Sequence, residues 1–484
     1  MFPPIQDMYR MAPELIVCLA GIVIMLLDPF VPRERKGLLG RLGLVGAVGA
    51  VVSLPLMAAN AGTAMYGLLI VDDFSVFLHI IVFGTAPLVI LGSYHYLKRE
   101  NLQQSEFYAL VLFATAGMGV MAGATELMTV FVGLEISSIS SYILACYRRA
   151  ALKSHESAMK YFLLGSFATA FFLYGVAMVY GATGDTRLNV LRVAIPQAAN
   201  QALLMLGLGM MFVGMAFKIA TVPFHVWTPD VYEGAPTPVT ALLASGPKAA
   251  AFAVLLRIFF AAFESASGTW FWAVWISAAL TMVVGNLAAV VQTNVKRMLA
   301  YSSIAHAGYL LVALAAAGGA SKEAGIAAGL FYLVAYALMK LGAFTTLAHL
   351  GGPGEQRLEI DDFAGLSTRQ PLTAACLTLY LLSLLGLPLT AGFLGKVYIF
   401  QAALDAQLIW LAVIMALATL VGAFYYLRVI WAMYFREAQA EWTAGALPHG
   451  VAAVMFLTSV GILLLFFFPG PLMNFAAQSA LSLR

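Results

Sequence analysis

Seven ionisable residues in this 484-residue chain stand where the flanking sequence is apolar for a full helical span: Glu135, Lys160, Lys218, Lys248, His306, Lys340 and Lys396. Placing one Lys or Asp at the centre of a membrane helix costs about 2.5–3.5 kcal/mol even on lenient insertion scales. A set of this kind therefore needs a chemical reason. Burial disfavours the charged form of a lysine and a nearby carboxylate restores it, so a buried ammonium can switch between protonated and neutral when its partner moves or its hydration changes. A neutral imidazole passes a proton in either direction. Lysines, a carboxylate and a histidine held in apolar surroundings are thus the parts of a proton-transfer path.

The bland readings differ from residue to residue. A single intramembrane lysine also has a reading as a structural interhelical hydrogen-bond donor, the lesser of the two, and five lysines with a glutamate make that reading costly. Glu135 lies about eight residues into its span, roughly 12 Å deep at about 1.5 Å per residue, and Lys248 about nine residues, roughly 14 Å. Lys160 is nearer the end of its span, where its long stem can carry the charge out to the interface. For His306, core packing and function fit equally well. His79, His95, His155, His349 and His449 read as interfacial or structural, and Arg257 and Arg428 as snorkelling side chains or helix-end ligands.

The elements that must position these groups are membrane helices. The chain is 62% hydrophobic and only 10% charged, against roughly 25% charged for a soluble domain. Apolar runs long enough to cross a hydrocarbon core of about 30 Å recur throughout. They lie near 12–30, 38–59, 74–97, 107–125, 127–147, 156–180, 202–224, 239–263, 270–291, 298–317, 325–349, 371–402, 408–434 and 449–468. The expected fold is all-α, a polytopic bundle of about fourteen transmembrane helices. One set of alternate loops collects most of the Lys and Arg, among them Arg33, Arg35, Lys36, Arg148, Lys296 and Arg436; the other holds Arg10, Arg187, Arg192, Lys322 and Arg484. The positive-inside rule then places both termini on the outer face. The first span ends in Asp28-Pro29 without a small-residue cleavage site, so it reads as a retained helix rather than a leader.

Two spans carry helix breakers beside a lysine: Pro223 follows Lys218, and Gly386, Pro388 and Gly392 precede Lys396. Broken helices at membrane depth are tolerated where freed carbonyls line a hydrated cavity, which is where transporters place ion sites. This suggests two inverted repeats. The organisation reads as N-terminal helices 1–3 over 1–106, a first repeat over 107–263, a second over 270–434, and a last helix over 449–484. Cys18, Cys146 and Cys376 stand singly, without the spacing of a metal site or an iron-sulfur cluster. The histidines lack zinc-site pairing. The 349–370 loop has no phosphate-loop ending, and the scattered basic residues make nucleic acid an unlikely partner.

The run Lys218-Ile219-Ala220-Thr221-Val222-Pro223-Phe224-His225-Val226-Trp227-Thr228-Pro229-Asp230, continuing to Val239, resembles the antiporter-like subunits of complex I and the related Mrp-type sodium/proton antiporters. The resemblance covers essentially the whole chain. Pro13-Glu14-Leu15 with Asp28, Glu135-Ile136-Ser137-Ser138 and Ser245-Gly246-Pro247-Lys248 point to the N-subunit branch; the run from Lys296 to His306 is shared more widely. Lys stands at 396, where the M branch has Glu, and no long lateral helix of the L type follows the last span. The resemblance implies that Glu135 pairs with Lys218, that Lys248 and Lys340 or His306 relay protons along a central axis, and that Lys396 is the terminal gate. It also implies a proton-translocating part of a respiratory NADH-quinone oxidoreductase in a bacterial inner membrane. Its partners would be the lipid bilayer, neighbouring antiporter-like subunits and small membrane subunits. NAD, FMN, iron-sulfur clusters and quinone would be handled by partner subunits, with no cofactor here. An Mrp-type cation/proton antiporter subunit, or a structural membrane subunit without transport, is the alternative expectation.

Overall fold

Residues 4–32, 35–437 and 447–483 are described in the computed structural model; Arg33 and Arg484, counted above for sidedness, lie outside them. Among the described residues thirteen helices are long and apolar enough to cross a membrane. The one sheet among them is a short antiparallel hairpin of Gly62–Ala64 and Leu69–Val71. This follows from the solvent: in hydrocarbon each backbone N–H and C=O must find its partner within the chain, which a helix accomplishes by itself.

Three helices form the centre of the bundle. In Thr237–Ala262 and Val295–Gly318, 94% of the apolar stretch is buried, and in Lys322–Leu350 83%; in Ala12–Phe30 and His449–Phe467 the share is 28%. The centre therefore coincides with the helices that carry Lys248, His306 and Lys340. Large apolar side chains such as Val52, Phe167 and Leu420 point outward from the peripheral helices, as a lipid-facing surface requires.

The expected span at 202–224 ends early. Helix Gln201–Ile219 stops one residue past Lys218, with Ala220 left-handed at φ 62°. The amides of Ala220 and Thr221 turn back to the carbonyls of Phe217 and Ala216 at 3.1 and 2.9 Å. After Pro223 the chain resumes as the short helix Trp227–Gly234. The Trp227 indole donates to the Phe217 carbonyl at 2.9 Å, and Thr281 Oγ1 accepts from the Val222 amide at 3.0 Å. The polar backbone freed by the break is thus taken up inside the protein.

The expected span at 371–402 is likewise two half-length helices, Pro371–Leu385 and Ala391–Asp405. The link between them holds Gly386 at φ 87° and Leu389 at φ 70°. A Cβ on Gly392 would fall against the Ser383 carbonyl, so only glycine lets the second half-helix start this close to the first.

Helices Ser105–Gly123 and Leu127–Ala145 pack backbone to backbone. A Cβ on Gly117 would lie 2.6 Å from the Gly133 carbonyl and 2.6 Å from the Ser137 amide, and one on Gly133 would lie 2.9 Å from the Gly117 carbonyl. Small residues at membrane-helix contacts permit such approach. Gly117→Val is expected to push the Glu135 helix away, at about 1–3 kcal/mol for overpacking a tight site. A lowered thermal midpoint of the purified protein, by fluorescence-detected unfolding, checks this.

Candidate functional site: a buried chain of lysines, hydroxyls and one imidazole

On helix Val295–Gly318, Leu299, Ser302, Ser303 and His306 recur at intervals of three, one and three residues, which places them on one face. Two lysines approach that face from its neighbours. Lys248 Nζ donates to the Ser303 carbonyl at 2.6 Å, and Lys340 Nζ donates to the Leu299 carbonyl and to Ser302 Oγ, both at 2.9 Å. The Tyr336 ring lies 5.4 Å from Lys248 Nζ and 5.7 Å from Lys340 Nζ. Its hydroxyl donates to Ser303 Oγ at 2.8 Å.

The chain continues through hydroxyls. Ser302 Oγ and Tyr426 Oη are 2.5 Å apart, Tyr426 Oη is 3.1 Å from His306 Nε2, and His306 Nδ1 is 2.5 Å from Tyr332 Oη. Lys340 and His306 are thus joined by two hydroxyl groups. Beyond them, Lys396 Nζ sits 4.7 Å above the Tyr309 ring and donates to the carbonyls of Leu384 and Leu385 at 3.0 and 2.8 Å. Those carbonyls belong to the broken end of Pro371–Leu385, so the break supplies the ligands of this lysine. Asn286 ties the Tyr309 hydroxyl, at 3.2 Å, to that of Tyr425, at 3.0 Å. Lys248, Lys340, His306 and Lys396 are all buried.

The ammonium groups meet carbonyls, hydroxyls and ring faces, and no carboxylate lies within 4.0 Å of any of the three axis lysines among the described residues. A carbonyl lone pair and an aromatic face stabilise a cation without fixing its protonation as a salt bridge does. Hydroxyls and imidazole both donate and accept, so a proton arriving at one end has a bonded route through Ser302, Tyr426 and His306 to Tyr332.

Glu135 and Lys218 form a second group. Lys218 Nζ lies 5.4 Å from the rings of both Tyr142 and Tyr161. Glu135 acts on it through space, without an ion pair of 4.0 Å or less among the described residues. Trp227 stands beside them, stacked on Tyr161 with centroids 4.6 Å apart and edge-on to Tyr232 at 6.2 Å. Lys160 belongs to neither group. It is 41% exposed and pairs with Asp230 and Glu156, each at 2.6 Å, at an end of the bundle.

Sequence reasoning missed the hydroxyls, because Tyr and Ser are ordinary residues of an apolar span. It also read Lys296 as a loop cation, yet that side chain is fully buried and donates to Glu355 Oε2 at 2.9 Å and to the Ala235 carbonyl at 2.5 Å. Glu355, on the loop before residue 360, accepts at Oε1 from Tyr96 Oη, the Thr237 amide and Thr237 Oγ1 at 2.7, 2.8 and 2.6 Å. The spacing Lys296, Leu299, Ser303, His306 was the available signal: it extends the polar face one turn further along the helix.

The family described as NADH:quinone oxidoreductase/Mrp antiporter, TM, matches residues 124–422. The chain belongs to this family of membrane-embedded antiporter-like proteins. Over 481 residues it is 48% identical to NADH-quinone oxidoreductase subunit N 1 of Solibacter usitatus, covering 99% of this chain and 98% of that one. It is also similar to a chain of respiratory complex I from Thermus thermophilus with bound aureothin, at 36% identity and a TM-score of 0.80, covering 96% of this chain and 99% of that chain. The fold is shared with the Mrp complex from Dietzia sp. at 22% identity, with a TM-score of 0.84 over 98% of this chain and 97% of that chain.

Burial works against the charge of Glu355, but Lys296 and the donors Thr237 and Tyr96 outweigh it and hold the carboxyl at about 2. An unfolded glutamate titrates near about 4.3. The group's contribution to stability is therefore complete above that value and is lost as pH falls through about 2. Glu355→Gln leaves Lys296 buried without its counter-charge, a loss of about 3–5 kcal/mol. Its unfolding midpoint at neutral pH should drop clearly below that of the unaltered chain, and the gap should narrow as the assay is acidified from about pH 5 toward pH 3.

Proposed function

We propose that this chain is a proton-translocating membrane subunit of a respiratory NADH-quinone oxidoreductase. Electron transfer to quinone in other subunits would be coupled here to proton movement through the buried lysines. The observation that carries the reading is the bonded route from Lys340 through Ser302, Tyr426 and His306 to Tyr332, flanked by Lys248 and Lys396. A structural bundle has no use for three buried ammonium groups linked in this way, given their insertion cost. The named relatives, subunit N proteins of NADH-quinone oxidoreductase, support the same reading.

In this scheme Lys218 receives or loses its proton as the field of Glu135 changes, and that charge change biases Lys248, Lys340 and Lys396 in turn. Each step is a change in the relative stability of ammonium and amine, set by local desolvation and by the charge of the neighbouring site. Lys396 lies at the second helix break and serves as the last site. Residues 107–263 and 270–434 are the two inverted repeats, each contributing one broken helix and its lysine. Both termini face the outer side of a bacterial inner membrane. Flavin, iron-sulfur clusters and the NADH and quinone sites belong to partner subunits, and the neighbouring antiporter-like and small membrane subunits pack alongside.

Tagging the chain in its host and purifying it gently tests the assignment. Flavin, iron and NADH-quinone reductase activity should co-purify; a complex free of flavin and iron would point instead to a cation/proton antiporter. Within the reconstituted complex, Lys248→Ala, Lys218→Ala or Glu135→Ala should lower redox-driven proton uptake several-fold, while the exposed Lys98→Ala remains at the unaltered level. Equal pumping in all four variants would refute these site roles. Tyr426→Phe, which removes one hydroxyl link and no charge, should slow pumping with normal assembly, as read by dye quenching in proteoliposomes.

A further inference from the structure

Two buried ionisable groups lie away from the lysine axis. Glu14, on helix Ala12–Leu27, is 6% exposed, and His79, on helix Asp73–Arg99, is 1% exposed. His79 Nδ1 is 2.6 Å from the Ser75 carbonyl oxygen, and His79 Nε2 is 2.6 Å from Glu14 Oε1. A carbonyl oxygen only accepts, so Nδ1 carries a hydrogen and donates it. In a neutral imidazole Nε2 is then a lone pair, facing an oxygen that is also an acceptor when the carboxyl is ionised. Two acceptors do not rest 2.6 Å apart, so a hydrogen lies between them. The pair holds one proton more than a neutral histidine beside a carboxylate would.

The second oxygen, Glu14 Oε2, is buried with no hydrogen-bond partner among the described residues. In this it differs from Glu355, both of whose oxygens are occupied by fixed donors. The approach of Glu14 to His79 is built into the packing. A Cβ on Gly119 would lie 2.8 Å from Glu14 Oε1, so glycine on the intervening helix leaves room for the carboxyl.

The pair lies near the end of the bundle where the helix Gly470–Leu481 packs against the start of helix Asp73–Arg99. Ser482 Oγ accepts from the Phe74 amide there, and Ser479 Oγ donates to the Asp73 carbonyl. A cavity of about 560 Å³ opens at that end, lined in part by Ile70, Asp72, Thr125 and Arg257. One thin layer separates it from the pair: a Cβ on Gly123 would be 3.9 Å from His79 Cε1 and 3.3 Å from the carbonyl of Ile70, a lining residue.

We propose that Glu14 and His79 form a second proton-holding site, separate from the lysine axis, which exchanges its proton with water in the terminal cavity. Within the pair the Oε1–H bond breaks as the Nε2–H bond forms, and the pair stays neutral overall. When the proton passes to a cavity water, hydronium leaves and the pair keeps one negative charge until water returns the proton. Its use during turnover rests on the proton-translocating reading above.

Glu14→Gln is the informative variant, because its amide N–H still donates to Nε2 but cannot be transferred. The experiment is redox-induced infrared difference spectroscopy of the whole reconstituted complex in H2O and D2O, with proton pumping measured on the same samples. The expected result is normal assembly and electron transfer, loss in Glu14→Gln of a D2O-sensitive carboxyl band present in the unaltered complex, and several-fold weaker pumping. Should Glu14→Gln fail to assemble, His79→Gln, whose amide can still donate to Glu14, should give the same two losses. Unchanged spectra and pumping in an assembled variant, with pumping lost in Lys248→Ala, would overturn the site and leave a purely structural clasp. Unchanged pumping in Lys248→Ala as well would instead overturn the proton-translocating reading itself.

Discussion

Hydrocarbon offers no hydrogen bonds, so a polar atom within the bilayer span must be answered from inside the protein. The lysine axis follows from this constraint. Each ammonium on it is answered by a carbonyl or hydroxyl of a neighbouring helix: Ser303 for Lys248, Leu299 and Ser302 for Lys340, Leu384 and Leu385 for Lys396. The five helices that carry these groups must therefore stay in register to within a hydrogen-bond length. The most buried helices of the bundle are the ones that carry Lys248, His306 and Lys340, since only the centre keeps lipid away from a group on every side.

The two breaks obey the same rule. A helix that stops in mid-membrane exposes its last carbonyls, and each break has a local answer. At the first, backbone turns and the Trp227 indole occupy the freed carbonyls. At the second, Lys396 takes two of them. Arg428 does similar work where a helix ends, donating to the carbonyls of Val290 and Gln292, and Arg257 holds Asp72, the cap of helix Asp73–Arg99, through two bonds of 2.9 Å. Charged side chains that look costly in isolation thus serve as the ligands of interrupted backbone.

The structure also separates two uses of charge. Glu355 with Lys296, and Asp72 with Arg257, are ion pairs at 2.9 Å that tie a loop and a helix cap to neighbouring helices. The lysines of the axis have no such partner within salt-bridge reach among the described residues, and their surroundings are carbonyls, hydroxyls and ring faces. A closed ion pair gives rigidity, because removing either charge strands the other. An open site leaves protonation responsive to its neighbours, which is the property a relay requires.

Hydrophobic length and composition are local properties, and they were enough to make the chain a membrane bundle, to place its spans within a few residues, and to mark Pro223, Gly386 and Pro388 as breaks. The cost of a charge in lipid likewise singled out Lys248, Lys340 and Lys396 from the sequence alone. Tertiary structure decided the rest. Tyr332, Tyr336 and Tyr426 are indistinguishable in sequence from other membrane tyrosines, and they join the hydrogen-bonded chain only because helices Lys322–Leu350 and Ile409–Phe435 bring their hydroxyls to Val295–Gly318. Lys296 and Glu355, 59 residues apart, and Glu14 and His79, 65 apart, become partners through helix packing. The reason is physical: burial is a sum over neighbouring residues and is read approximately from one segment, whereas a hydrogen bond depends on tenths of an ångström between segments that the sequence leaves far apart.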